Sequence, residues 1–349
     1  LGTSRNQLRP FSGLRQQIEK EGADAALMHA GGLPWPPPSA ARSGSTLWQW
    51  FAGLFRRTAQ SSDGEPSPRE LHQQMTAWLE DTERTYADWS ASRLRKSARR
   101  EPRDISYRLG MALKHAESDE WSKAAEDYSV AIEAAPDFAL LYGRRGHAYQ
   151  ISGNSERALA DFNQAIALAP FEPRFYSQRA QIFADLGAWP QAEQDLVSAR
   201  ELAPRDPALL LFLAAIHMEQ AQYDRALEDL SEAIFLDPHC GQAHAQLGWI
   251  YQETEHYDVI LATEHLTRAV ELMPDVAASR IRRSLAYAAQ NKFALSLDDC
   301  DTVLRSHPDS PAAHGVRGRV LQMQGEFEAA IASCSRAIDL GLDTAMVFL

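Results

Sequence analysis

The chain has 349 residues, 35 basic and 47 acidic side chains, and a net charge of −12. That length suits two ordinary domains or one extended array, and a 45% hydrophobic content argues against wholesale disorder. The acidic balance excludes binding to nucleic acid through bulk charge. No apolar run nears the roughly 18 residues that span a bilayer. Three cysteines without a CxxC pair argue against a disulfide scaffold or a cysteine-rich zinc module, and point to a reducing, cytoplasmic compartment, although such scarcity would also suit a periplasmic protein.

Charge divides the chain near residue 103: residues 1–103 carry a net +4 and residues 104–349 a net −16. The first 66 residues form an N-terminal region of their own. Leu8, Phe11, Leu14 and Ile18 mark a short helix over 7–21, and the Gly-Pro stretch Gly31–Pro38 is a linker. Residues 47–55 are dense in aromatics and run into Arg56 and Arg57. This segment reads as a helix packed on the chain's own repeats, with a partner-binding helix or contact with a membrane interface as alternatives. Over 67–102 the sequence predicts one long helix. Ser67-Pro68-Arg69-Glu70 is a capping box with proline in the first turn. Leu71, Met75, Trp78, Leu79, Tyr86 and Trp89 share an apolar face, and Arg93–Arg100 puts cations at the end that suits the helix dipole. This helix is expected to lie against the first of the hairpins that follow and to cap their stack.

Residues 103–344 repeat. One column of small residues runs Gly110, Gly146, Ala180, Ala214, Gly248, Ser284, Gly318, in steps of 34 or 36. A second runs Ala124, Ala158, Ala192, Ala226, Ala262, Ser296, Ala330. An apolar column follows four residues later, including Phe162, Leu196, Leu230 and Leu266, and Pro136, Pro170, Pro204, Pro238, Pro274 and Pro308 close six of the repeats. Spacings of three and four within each half predict two helices per repeat. Gly153, Gly187 and Gly325 fall between them, where a left-handed residue is required, and the proline stops growth of the second helix. The first and fifth repeats are expected to carry two extra residues between their helices, around Glu117–Glu120 and Glu253–Tyr257. The sixth, with Ser284, Ser296 and Val303 in the small columns, is expected to be the loosest. The arginine column Arg145, Arg179, Arg283, Arg317 should pair with the aspartate column Asp127, Asp161, Asp195, Asp229, Asp299.

The period and pattern resemble the tetratricopeptide repeat, most completely over Tyr142, Gly146, Tyr149, Gly153, Ala158, Phe162, Ala165 and Pro170. The resemblance covers about two thirds of the chain. It implies an all-α fold: a right-handed α-solenoid of about seven helix-turn-helix repeats, preceded by a partly helical N-terminal region. Residues 345–349 would begin a truncated eighth repeat. A chain that starts at Leu1 and ends inside a helix is expected to be a fragment of a longer product.

The resemblance further implies a concave groove lined by the first helices. Its lining places fall on His147, Arg174, Gln181, Leu211, Met218, Trp249, Ile281, Leu285 and Arg319, apolar in the middle and polar or basic at the ends. Such a groove suits a peptide or helix of a protein partner, although the same side chains could pack on each other instead. The family's clamp for chaperone C-terminal carboxylates is unmatched, since its first-repeat places fall on Tyr107 and Met111 and its second-repeat place on His147. The sequence holds no phosphate loop, GxGxxG, HExxH or GxSxG. His239, Cys240 and His244 are the nearest approach to metal-ligand spacing and fall short of a set of converging ligands. The reading is therefore a non-catalytic interaction scaffold without cofactor, metal, nucleic acid or small-molecule substrate. Its rival is the recognition arm of a larger enzyme, such as a glycosyltransferase or kinase, with its catalytic domain elsewhere.

Overall fold

The computed structural model describes residues 67–86, 94, 96 and 105–342. The expected helix at 7–21, the Gly31–Pro38 linker, the aromatic segment 47–55, Trp89, most of the basic run Arg93–Arg100 and the eighth-repeat start at 345–349 lie outside the described residues. Among the described residues there are fifteen α-helices and no strand, and no helix is long and apolar enough to cross a membrane.

The helix α1 (Pro68–Tyr86) opens on the predicted capping box: the Ser67 backbone N–H donates to Glu70 Oε2 (2.8 Å) and the Glu70 N–H to Ser67 Oγ (3.2 Å). Hairpins follow. They are α2 (Ile105–Glu117) with α3 (Trp121–Ala134) and α4 (Ala139–Ile151) with α5 (Ser155–Leu168); the helices α6 (Pro173–Asp185) and α7 (Trp189–Leu202) come next in the chain. Next come α8 (Pro207–Glu219) with α9 (Tyr223–Leu236) and α10 (Gly241–Glu253) with α11 (Val259–Leu272). The last two are α12 (Ala277–Ala289) with α13 (Phe293–Ser306) and α14 (Pro311–Gln324) with α15 (Phe327–Asp339). The chain divides into two compact units, Leu1–Ala188 and Trp189–Leu349. Within each, successive helices pack on one another, and first helices also touch the next first helix, as α4 touches α6 and α12 touches both α10 and α14.

Small residues sit where the helices of a hairpin cross. Ala158, Ala226 and Ala262 are fully buried there, and at Gly248 an added Cβ would overlap the Leu266 side chain. Overpacking of that kind costs about 1–3 kcal/mol. The linkers turn through a left-handed residue: Gly153, Gly187 and Gly325 have φ of 79°, 70° and 83°, and Asp119, Ala221 and Asn291 hold the same conformation at 56°, 55° and 57°.

The first repeat departs from expectation. Its linker, Ser118–Glu120, is three residues long, like 152–154 in the second repeat, so it carries no insertion. The small residue at its crossing is therefore Ala112, not Gly110, and the place matching Arg145 is Met111. Tyr107 and Met111 are buried in the core. The fifth repeat does carry the two extra residues, in the linker 254–258.

The sixth hairpin is stitched rather than loose. Ser284 Oγ and Ser296 Oγ lie 2.8 Å apart, each bonds the other's backbone carbonyl (2.9 and 2.8 Å), and Cys300 Sγ is 3.1 Å from Ser284 Oγ. Both serines are fully buried and fully partnered, which removes the penalty that an unpaired hydroxyl would incur.

The charge columns meet in part as predicted. Arg145 forks onto Asp161 (2.8 and 2.7 Å) and Arg283 onto Asp299 (2.8 and 2.6 Å). Arg179 instead donates to Asn163 (2.6 Å), and Arg317 reaches Asp301 and Ser333 (2.8 Å each). Where the arginine place holds Met111 or Leu213, a histidine one turn later takes the aspartate: His115 Nδ1 lies 2.9 Å from Asp127 and His217 Nδ1 2.7 Å from Asp229. Beside Arg145, Arg179 and Arg283 an aromatic fills that later place beneath the guanidinium, as Tyr149, Phe183 and Tyr287 do at 5.6–5.9 Å, whereas Leu321 follows Arg317. Burial pushes the Asp127 carboxyl above its ordinary range, and the His115 and Arg108 charges only partly offset this. The fifth repeat replaces both partners, with Leu247 and His265 in their places. His265 stacks on Tyr251, and its Nδ1 faces His244 Nδ1 at 3.0 Å.

A further regularity ties neighbouring repeats. In three of the repeats the side chain six residues after the helix-ending proline bonds that proline's carbonyl: Tyr142 to Pro136 (2.9 Å), Tyr176 to Pro170 (3.1 Å) and His314 to Pro308 (2.9 Å).

Candidate functional site

In the second unit the first helices α10, α12 and α14 border a cleft of about 200 Å³. Its walls are Gln252, Glu253, Tyr257, Val259, Leu285, Ala286, Ala288, Ala289, Arg319, Val320 and Met323. Helical spacing aligns Leu285 with the two alanines on one face of α12, and the inserted linker of the fifth repeat carries Tyr257 to the rim. Tyr257 and Met323 are 60% and 48% exposed, an unusual degree for large apolar side chains. Gln252 donates from Nε2 to the Arg282 carbonyl (2.8 Å) and leaves Oε1 buried without a protein partner. Glu253 lies 3.7 Å from Arg282, whose guanidinium is pushed down by burial, with Glu253 opposing. Arg319 is exposed and forms no ion pair among the described residues. The cleft thus offers apolar walls, the exposed Arg319 cation and the half-exposed Glu253 carboxylate. No nucleophile stands beside a base here, and no group of three or more metal-ligating side chains occurs among the described residues.

Of the predicted lining residues in this unit, Leu285 and Arg319 meet in the cleft. Leu211, Met218 and Trp249 are half-buried against the core around Leu230 and Leu247, and Tyr223 tilts over Trp249 with ring centroids 5.9 Å apart. Ile281 is half-buried outside the cleft. Side-chain packing along the face therefore partly covers Leu211, Met218 and Trp249. Tyr257 and Met323 had not been singled out. The two-residue insertion was the available signal for Tyr257, whereas nothing in the sequence marked Met323.

In the first unit His147 is half-buried with Trp121 edge-on at 5.8 Å, and burial and the Arg144 charge push its imidazole down. Arg174 Nε donates to Glu172 (2.8 Å) and Gln181 Nε2 to Asp185 (2.8 Å), so both side chains are engaged locally. The face is occupied as well: α1 lies on it. Met75 and Leu79 share one core with Leu109 of α2, Leu140 of α4 and Phe175 of α6. At the other end of the same stripe His72 packs edge-on against Phe171 and Phe175, with its Nε2 3.3 Å from Glu172 Oε2.

The family model for the tetratricopeptide repeat matches residues 144–207 and 281–342, two blocks that take in most of the second, third, sixth and seventh repeats described above. These two blocks are tetratricopeptide repeats. A search of curated proteins gives no match. Among solved structures, the APC/C Cut9–Hcn1 hetero-tetramer superposes with a TM-score of 0.53 at 19% identity, over 80% of this chain and 54% of that one. This chain thus spans about half the length of that relative. A tetratricopeptide repeat protein from Parabacteroides merdae gives a TM-score of 0.53 at 16% identity, over 70% and 95% of the two chains. Yeast Tom70 gives 0.52 at 18%, over 72% and 55%. At these identities the likeness establishes the repeat fold alone.

Proposed function

We propose that this protein is a non-catalytic, cytoplasmic interaction scaffold whose second unit takes a peptide segment of a protein partner against its first helices. The cleft walled by Tyr257, Leu285, Arg319 and Met323 carries the reading, because it joins exposed apolar side chains to a cation that no carboxylate neutralises. A segment with an apolar anchor and a carboxylate three or four residues away answers both features. Peptides selected from a random library against the intact chain should show that pattern. Leu285→Asp and Arg319→Glu should each weaken the selected peptides at least ten-fold, or about 1.4 kcal/mol. Unchanged affinity in both variants would overturn the assignment.

A further inference from the structure

The helix α1 stands outside the repeat pattern. It runs to 19 residues, against 13 or 14 for each helix of the hairpins. It buries His72, Met75, Leu79 and Thr82, spaced three, four and three apart, which is a single helical face. Gln73, Ala77, Glu80 and Arg84 on the opposite side are exposed. That face packs on α2, shares one core with Leu140 of α4, and meets Phe171 and Phe175 at α6 through His72, in the manner of a helix laid in a groove.

The column beneath it shows what the docking does. Leu140 is 6% exposed, whereas Arg174, Ala208, Gln242, Ala278 and Ala312, its counterparts in the later repeats, are exposed. Covering of this column is therefore confined to Leu140 of α4 and ends before Arg174 of α6. Polar matching sits at one end. Glu172 caps α6, accepts from Arg174, and faces His72 at 3.3 Å. Burial alone would raise the Glu172 carboxyl, but His72 and Arg174 outweigh it and hold it at about 2.

We propose that α1 is a resident ligand of the first unit: it fills, in cis, a groove that fits an amphipathic helix, and it closes that groove to partners until it is displaced. The partner that fits is a helix with apolar residues spaced as Met75 and Leu79 are, and a histidine or other cation one turn before them to meet Glu172. This inference does not depend on the cleft of the second unit, and either can fail without the other.

The test uses the full chain and a fluorescein-labelled peptide spanning Ser67–Tyr86. A variant carrying Met75→Asp and Leu79→Asp loosens the resident helix while leaving the repeats intact. Fluorescence anisotropy should show the peptide binding this variant at least ten-fold more tightly than the wild-type chain. A peptide with His72→Ala should bind the variant more weakly than the native peptide. Equal binding to the two proteins, or none to the variant, would overturn the proposal. Loss of cooperative helical melting in the variant would also overturn it, since α1 would then be an inseparable part of the core. Hydrogen exchange on the wild-type chain gives an answer without any variant: α1 amides should exchange at least ten-fold faster than those of α4 and α5, and equal rates would count against displacement.

Discussion

Arg283→Leu places in the sixth repeat the residue that the fourth and fifth repeats already carry there, Leu213 and Leu247. What differs is the carboxylate left behind. Asp299 accepts both Arg283 bonds, at 2.8 and 2.6 Å, and its side chain is 4% exposed. Breaking a buried pair from one side typically costs about 3–5 kcal/mol. Arg280, 3.9 Å from Asp299, remains as partial compensation, so the lower end, about 3 kcal/mol, is expected. For a unit of this size that corresponds to a fall of roughly 6–12 °C in the melting midpoint. Pairing Arg283→Leu with Asp299→Ser, the residue of the seventh repeat at Ser333, removes the stranded charge and should recover part of the loss, with a coupling of roughly 1–3 kcal/mol. Far-UV circular dichroism and tryptophan fluorescence along urea and thermal ramps would measure both. A single variant within about 0.5 kcal/mol of wild type, or a double variant less stable than the single, would refute the view that the fork is what makes this buried aspartate tolerable.

Ala221 holds φ of +55° where the second, third and seventh repeats use glycine. Ala221→Gly relieves a left-handed strain of about 1–2 kcal/mol against a glycine entropy cost of about 0.5–1 kcal/mol, so urea midpoints should rise slightly, whereas Gly153→Ala should lower them. A lower midpoint for Ala221→Gly would contradict the strain. His244 and His265 both have their imidazoles pushed below the ordinary value of 6.5, each mainly by burial, and the His265 and Arg268 charges add to this at His244. The unfolded chain therefore binds more protons, and stability should fall as pH drops below about 6.5. His265→Asp, which restores the carboxylate of the other repeats, should flatten that fall, and identical pH profiles would show that the pair is not its source. Burial pushes the Cys300 thiol up to about 11, so in the native chain it should resist a thiol reagent that labels the half-buried Cys240. Equal labelling rates at neutral pH would show that the sixth hairpin opens far more readily than its serine stitching implies.

The repeat itself was legible because its causes are local and periodic. A helix crossing admits only a small side chain, a tight linker demands a left-handed residue, and a proline ends a helix, so each leaves a mark at a fixed stride in the sequence. Arg145 and Arg283 were readable for the same reason, since arginine recurs in four repeats and aspartate in five at a fixed stride. Register in the first repeat was not, because Gly110 and Ala112 are both small and only the length of the linker Ser118–Glu120 shows which one sits at the crossing. Nor could sequence tell that the serines of the sixth repeat bond each other, because a hydroxyl at a crossing is a defect or a stitch according to whether a partner faces it.

The candidate site divides along the same line. Which positions belong to the first-helix face follows from helical period alone, and Leu285 and Arg319 were found that way. Which of them remain open depends on what else lies over the face. Tyr223 over Trp249 and the crossing of α1 over Leu140 and Phe175 are contacts between residues 26 to about 100 positions apart, made by side chains that no repeat column announces. Sequence determined that this protein is built from paired helices at a 34-residue stride, because short-range sterics act on every repeat alike. Tertiary structure decided which stretch of that surface is free to bind, because covering a groove requires a distant segment to reach it, and the energy of that contact is not written in either segment alone.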